Sequence, residues 1–123
     1  MKVTYVIDSQ QQLILTTADG VVGFDDIRGH QDCLLADPEF DPTFNQLIDT
    51  IRAIRINLSD EEVRILCERP IVAPSSRRAF VALNPHILGL GRMMAIYHDE
   101  LWGLAQVQVF HSIGTAWSWV HHG

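Results

Sequence analysis

The chain has 123 residues, 47% hydrophobic and 20% charged, the size and apolar content of one globular domain and not of a disordered tail. Fifteen acidic against nine basic side chains give a formal charge of −6, which argues against nucleic acid as a partner, since a phosphate backbone needs a basic surface. The opening MKVTYVIDSQQQ lacks the apolar core of a signal peptide, and no run approaches the ~18 apolar residues of a membrane span, so the expected setting is the cytoplasm.

Residues 3–7 alternate Val3, Tyr5 and Ile7 against Thr4 and Val6, and residues 13–17 form a second β-rich run behind the polar link Asp8-Ser9-Gln10-Gln11-Gln12. The two are expected to pair as an antiparallel hairpin. Asp19-Gly20 is turn chemistry, after which Phe24, Ile27, Leu34 and Leu35 recur at helical spacing, with Asp25 and Asp26 in the first turn where the helix dipole favours acids. This predicts a helix over 24–36, stopped by Asp37-Pro38, because the residue before a proline is pushed out of the α region. Phe40 and Phe44 are expected to pin the following loop, which Asp41-Pro42 extends, to the core.

Leu47 and Ile48 are apolar on successive positions, so both faces of this strand should be covered, as in a central strand flanked by helices. Asp49 falls at its carboxyl end, where loop amides are expected to hold it. A short extended connection leads to Ser59, followed three residues later by Glu62, the pattern in which serine and glutamate cap a helix start reciprocally. Val63, Leu66 and Cys67 supply that helix's inner stripe and Asp60, Arg64 and Glu68 its charged outer row, with Pro70 as the stop. Residues 71–76 read as a loop and 79–83, with no charged position, as another short strand.

Asn84-Pro85 is a cap followed by proline at the first helical position, which predicts a third helix over 85–98. Its apolar face is broad, taking in Ile87, Leu88, Leu90, Met93, Met94, Ile96 and Tyr97. It also holds Gly89 and Gly91, each costing about 1 kcal/mol relative to alanine, a cost that close packing must offset. Val107 and Val109 alternate with Gln106 and Gln108 in a strand nearer a sheet edge, and Ser112 caps a last helix carrying Ala116, Trp117, Trp119 and Val120. The predicted order is β-β-α-β-α-β-α-β-α. It implies one α/β domain over residues 1–123, with a mixed sheet of about five strands and four helices.

Motifs for chemistry are sparse. His30, His86, His98, His111, His121 and His122 show no metal-ligand spacing, so neither metal nor cofactor is expected. There is no G-x-S-x-G elbow for a hydrolase, and Ser75-Ser76 lies in a loop, so an enzyme is not expected. Cys33 and Cys67 read as reduced core thiols; Arg77-Arg78 at a strand entrance offer charge for an anion, but such a pair is usually solvated, and that is the expectation here.

With that order, the segments ADPEFDPTFNQLID, LSDEEVRIL, RRAFVA running into LGLGRMMAI, and VQVFHSIGTAWSWV resemble the SpoIIAA-like, STAS-type domains, in particular the small bacterial proteins described as STAS/SEC14 domain-containing. The resemblance implies their fold. It also implies a candidate phosphoacceptor, Ser59, because relatives that antagonise anti-sigma factors carry a phosphorylated serine at the start of the second helix. Here Asn57 and Asp60 replace the aspartate and glycine of that motif, and Glu61 and Glu62 follow, so a phosphate would meet three carboxylates. The function expected from these features is a non-catalytic regulatory or protein-interaction domain, self-associating as a dimer through the third helix. The alternative is a binding protein or carrier for a small apolar, lipid-like ligand held beneath that helix. Either surface would be built from Leu88, Leu90, Gly91, Met93, Met94, Tyr97 and Trp102, whose glycine, methionines and tryptophan suit an adaptable apolar contact.

Overall fold

The computed structural model describes residues 2–69, 71–103 and 106–121. The alternating N-terminal runs form β1 (Val3–Asp8) and β2 (Leu13–Ala18), paired antiparallel with Val3 opposite Ala18 and Asp8 opposite Leu13. In the turn between them the Asp8 carboxylate accepts a hydrogen bond from the Gln11 amide at 3.1 Å, an Asx-type closure. The chain continues through β3 (Gly20–Gly23), α1 (Phe24–Ala36), β4 (Asn45–Asp49), β5 (Ala53–Asn57), α2 (Asp60–Glu68), β6 (Arg78–Val81), α3 (Pro85–Trp102), β7 (Val107–Phe110) and α4 (Ile113–His121).

The main sheet has five strands in the order β1-β2-β4-β6-β7, and every neighbour after the hairpin is parallel. β4 lies in the middle, where its consecutive apolar residues placed it, and β7 lies at an edge. Strand alternation then sorts side chains between two layers. Leu13, Leu47, Ala79 and Val81 meet Ala116 and Val120 of α4 on one face. On the other face, Ile14 meets Leu34 of α1, and Phe80 meets Ile87 and Leu88 of α3. Phe40 and Phe44 pack into the cluster around Ile14, as expected.

Two strands are additional to the predicted order. The Asp19-Gly20 turn does redirect the chain, with Gly20 at φ +75°, but β3 follows at once and pairs in parallel with β5, the segment expected to be only an extended connection. This two-stranded sheet buries Val22 completely. α3 also runs one turn beyond the expected end at residue 98, to a left-handed Gly103 (φ +70°) whose amide donates to the Asp99 carbonyl. The expected stop at Pro70 lies outside the described residues. Both cysteines are free, but Cys33 is exposed and Cys67 only half-buried, so Cys33 is not a core thiol: its position on α1 falls outside the buried set His30, Gln31 and Leu34.

The two glycines of α3 differ in role. A Cβ on Gly91 would stand 2.5 Å from Phe80 Cδ1 and 2.9 Å from Cε1, whereas one on Gly89 would meet nothing within 4 Å. Phe80 is 7% exposed and packed beneath the helix, so Gly91 is what lets the helix lie on the ring. Gly91→Ala should destabilise the fold, overpacking of about 1–3 kcal/mol exceeding the ~1 kcal/mol helix gain, while Gly89→Ala should stabilise it by up to about 1 kcal/mol. Urea unfolding of the two variants checks this, and shifts of the same sign would refute it.

Candidate functional site

Between the sheet and the layer formed by α1, α2, α3 and the β3–β5 pair lies a cavity of about 120 Å³. Its walls are apolar: Val3, Ala18, Val22, Ile48, Val63 and Leu66 among them, with Leu90 and Met94 contributed by α3. Its floor is polar, because three adjacent strands each turn one polar side chain to the inner face. Thr16 on β2, Gln46 on β4 and Arg78 on β6 stand side by side.

These residues form one hydrogen-bonded string. Arg78 Nε donates to Gln46 Oε1 at 3.0 Å, and Gln46 Nε2 donates to Thr16 Oγ1 at 2.9 Å. Thr16 Oγ1 in turn lies 3.2 Å from His30 Nε2 on α1. With its oxygen accepting from Gln46, the Thr16 hydroxyl can donate to a neutral imidazole. Burial, helped by the charge of Arg78, lowers the pKa of His30 to about 4, so the ring is neutral near pH 7. Burial likewise lowers the Arg78 pKa and raises that of the Cys67 thiol. Arg78 is half-buried and forms part of the cavity wall.

Gln31, one residue beyond His30, also lines the cavity and is 7% exposed. Its Nε2 donates to the Leu66 carbonyl at 3.3 Å, but its Oε1 is buried without a partner. A buried acceptor left unpaired costs on the order of 1–3 kcal/mol, which makes it an exception in need of a reason.

The residues expected to form one surface on α3 are divided among three environments. Leu88 and Gly91 are buried in the core, which removes them from any exposed face. Leu90 and Met94 line the cavity, and Met93, Tyr97 and Trp102 are half-buried. The exposed positions of α3 are Pro85, His86, Gly89, Arg92, Ile96, Asp99, Glu100 and Leu101, a mixture of polar and apolar residues. Ser59 does cap α2: its Oγ accepts from the Glu62 amide at 3.1 Å, and the Glu62 carboxylate accepts from the Ser59 amide at 2.9 Å. Asp49 accepts from the Ile51 amide at 2.9 Å, the loop-held role expected of it.

Arg77-Arg78 is not a solvated pair. Arg78 joins the floor, while Arg77 donates to the Trp119 carbonyl and stacks its guanidinium over the Trp119 ring at 5.0 Å. Arg78 shares a strand face with buried Phe80, two positions on, and so turns inward. The same alternation linking Ile14 to Thr16 and Gln46 to Ile48 was the available signal for the floor. Among the described residues no three His, Cys, Asp or Glu side chains are grouped to hold a metal ion, and no helix is long and apolar enough to cross a membrane. His122 lies outside the described residues.

A mixed sheet with an antiparallel leading hairpin and four helices, arranged in this order, is a SpoIIAA-like fold. The chain is similar to the crystal structure of an uncharacterized protein of the DUF3478 family from Shewanella loihica PV-4, described as having a SpoIIAA-like fold. The TM-score is 0.62 at 14% identity, covering 96% of this chain and 93% of that one. No family model and no curated protein matches the sequence.

Proposed function

We propose that this SpoIIAA-like domain is a non-catalytic binding module that takes a small, largely apolar molecule into the cavity beneath α3. The observation that carries this reading is the cavity itself, about 120 Å³ with aliphatic walls, in an interior that close packing would otherwise fill. The chemistry of the groups around it supports binding over turnover. The Cys67 thiol has its pKa raised by burial and so stays protonated, which makes it a poor nucleophile. His30 Nε2 is already engaged with Thr16.

Self-association through α3 has less support, since Leu88 and Gly91 serve the core and Leu90 and Met94 line the cavity, which leaves Ile96 and Leu101 as the large apolar side chains the helix exposes. A phosphoswitch at Ser59 has less support for a related reason: the hydroxyl is committed to its cap, and the carboxylates of Asp60, Glu61 and Glu62 crowd the first turn.

Titration with hexanol, followed by amide NMR shifts, tests the binding reading. Shifts should concentrate at Thr16, Gln31, Thr50, Leu90 and Met94, and Met94→Trp, which places an indole in the cavity, should suppress them. Shifts scattered over the surface, or none up to the solubility limit, would remove it.

A further inference from the structure

Resting on the cavity reading above, we propose that the ligand is a small hydroxy acid, its carboxylate held by Arg78 and its hydroxyl donating to Gln31 Oε1. Two unmet demands on the cavity wall point to this class. Arg78 brings a positive charge to the cavity wall, yet among the described residues no carboxylate pairs with it; its hydrogen bond runs from Nε to the neutral Gln46. A half-buried charge with no carboxylate beside it favours an anion, and a guanidinium is shaped to grip a carboxylate. The other titratable groups lining the cavity do not meet that demand. His30, from α1, is neutral because its pKa is held near 4, and Cys67, from α2, has its thiol pKa raised. Gln31 makes the opposite demand. Its amide nitrogen is occupied by the Leu66 carbonyl, so its buried, unpartnered oxygen needs a donor, which a simple carboxylate lacks and a hydroxyl provides.

The apolar walls limit the rest of the molecule. At about 120 Å³ the cavity is close to the ~150 Å³ apolar cavity that accommodates benzene, so the body should have about six carbons. The probes are therefore hexanol, hexanoate and 3-hydroxyhexanoate, titrated calorimetrically into the full chain.

Hexanoate should bind about tenfold or more tighter than hexanol, because only the acid engages Arg78. 3-Hydroxyhexanoate should gain a further ~3- to 10-fold through Gln31. Arg78→Met should abolish the preference for acids, and Gln31→Leu should abolish only the advantage of the hydroxyl. The ranking of the three probes on the unaltered protein decides the matter even if Arg78→Met does not fold. Hexanol binding as tightly as hexanoate would overturn the carboxylate assignment while leaving the cavity reading intact. Equal binding of the two acids, or a hydroxyl advantage that survives Gln31→Leu, would overturn the role of Gln31. Failure of all three probes to bind would overturn the proposal and the cavity reading together.

Discussion

Stability is expected to fall by roughly 3 kcal/mol between pH 6.5 and pH 4, through His30 alone. In the folded protein its pKa is lowered from 6.5 to about 4, first by burial and second by Arg78. Above pH 6.5 both folded and unfolded chains carry the neutral ring, so the full stability is present. Below it the unfolded chain takes up a proton that the folded one refuses, and the loss is complete only when the folded form also protonates near pH 4. A gap of about two and a half pH units at about 1.4 kcal/mol each sets the size. That is a large share of the roughly 5–15 kcal/mol that holds a domain of this kind together.

Other groups with shifted pKa values titrate elsewhere. Tyr5, edge-on to His30 at 5.5 Å, is pushed up to about 12 by its hydrogen bond to Asp37. Asp37 and Asp41 have pKa values below the usual 3.8, held down by neighbouring hydrogen bonds, so their effects come below the window. Urea unfolding across the pH range should show the decline in the parent and a shallower slope in His30→Gln. Parallel curves would mean that the ring is not neutral where Thr16 meets it.

Leu34→Ala should cost about 2–5 kcal/mol, the range for emptying a core leucine site that cannot collapse. Leu34 is fully buried on α1 and packs with Ile14, Phe44, Ile71 and Val72, drawn from a strand and two loops. It is also what presses α1 onto the sheet, and α1 carries His30 and Gln31 into the cavity four and three residues earlier. Ile54, apolar but 69% exposed on β5, provides the comparison: Ile54→Ala should stay within about 0.5 kcal/mol. Denaturant midpoints distinguish the two, and a Leu34→Ala loss as small as that of Ile54→Ala would contradict the packing of α1 described above.

The cavity was partly legible in the residues. Met94 and Leu90 stood out as apolar positions on a helix containing glycines, and both line the space. The apolar stripe of α3 is not one surface. Eighteen residues of helix pass over a core, a cavity and solvent in turn, so neighbours in the pattern reach different environments.

The hairpin, the bounds of α1, the Ser59 cap and the central position of β4 were determined by the sequence alone. Each depends on residues a few positions apart: alternation, a first-turn acid, a serine and glutamate three apart, two consecutive apolar residues. The pairing of β3 with β5 and the polar floor were decided only by the tertiary structure. Thr16, Gln46 and Arg78 are separated by 30 and 32 positions, and nothing near any one of them indicates that parallel crossovers will set the three side by side. Local periodicity dictates which way a side chain points. Only the closure of distant strands against one another decides what it meets there.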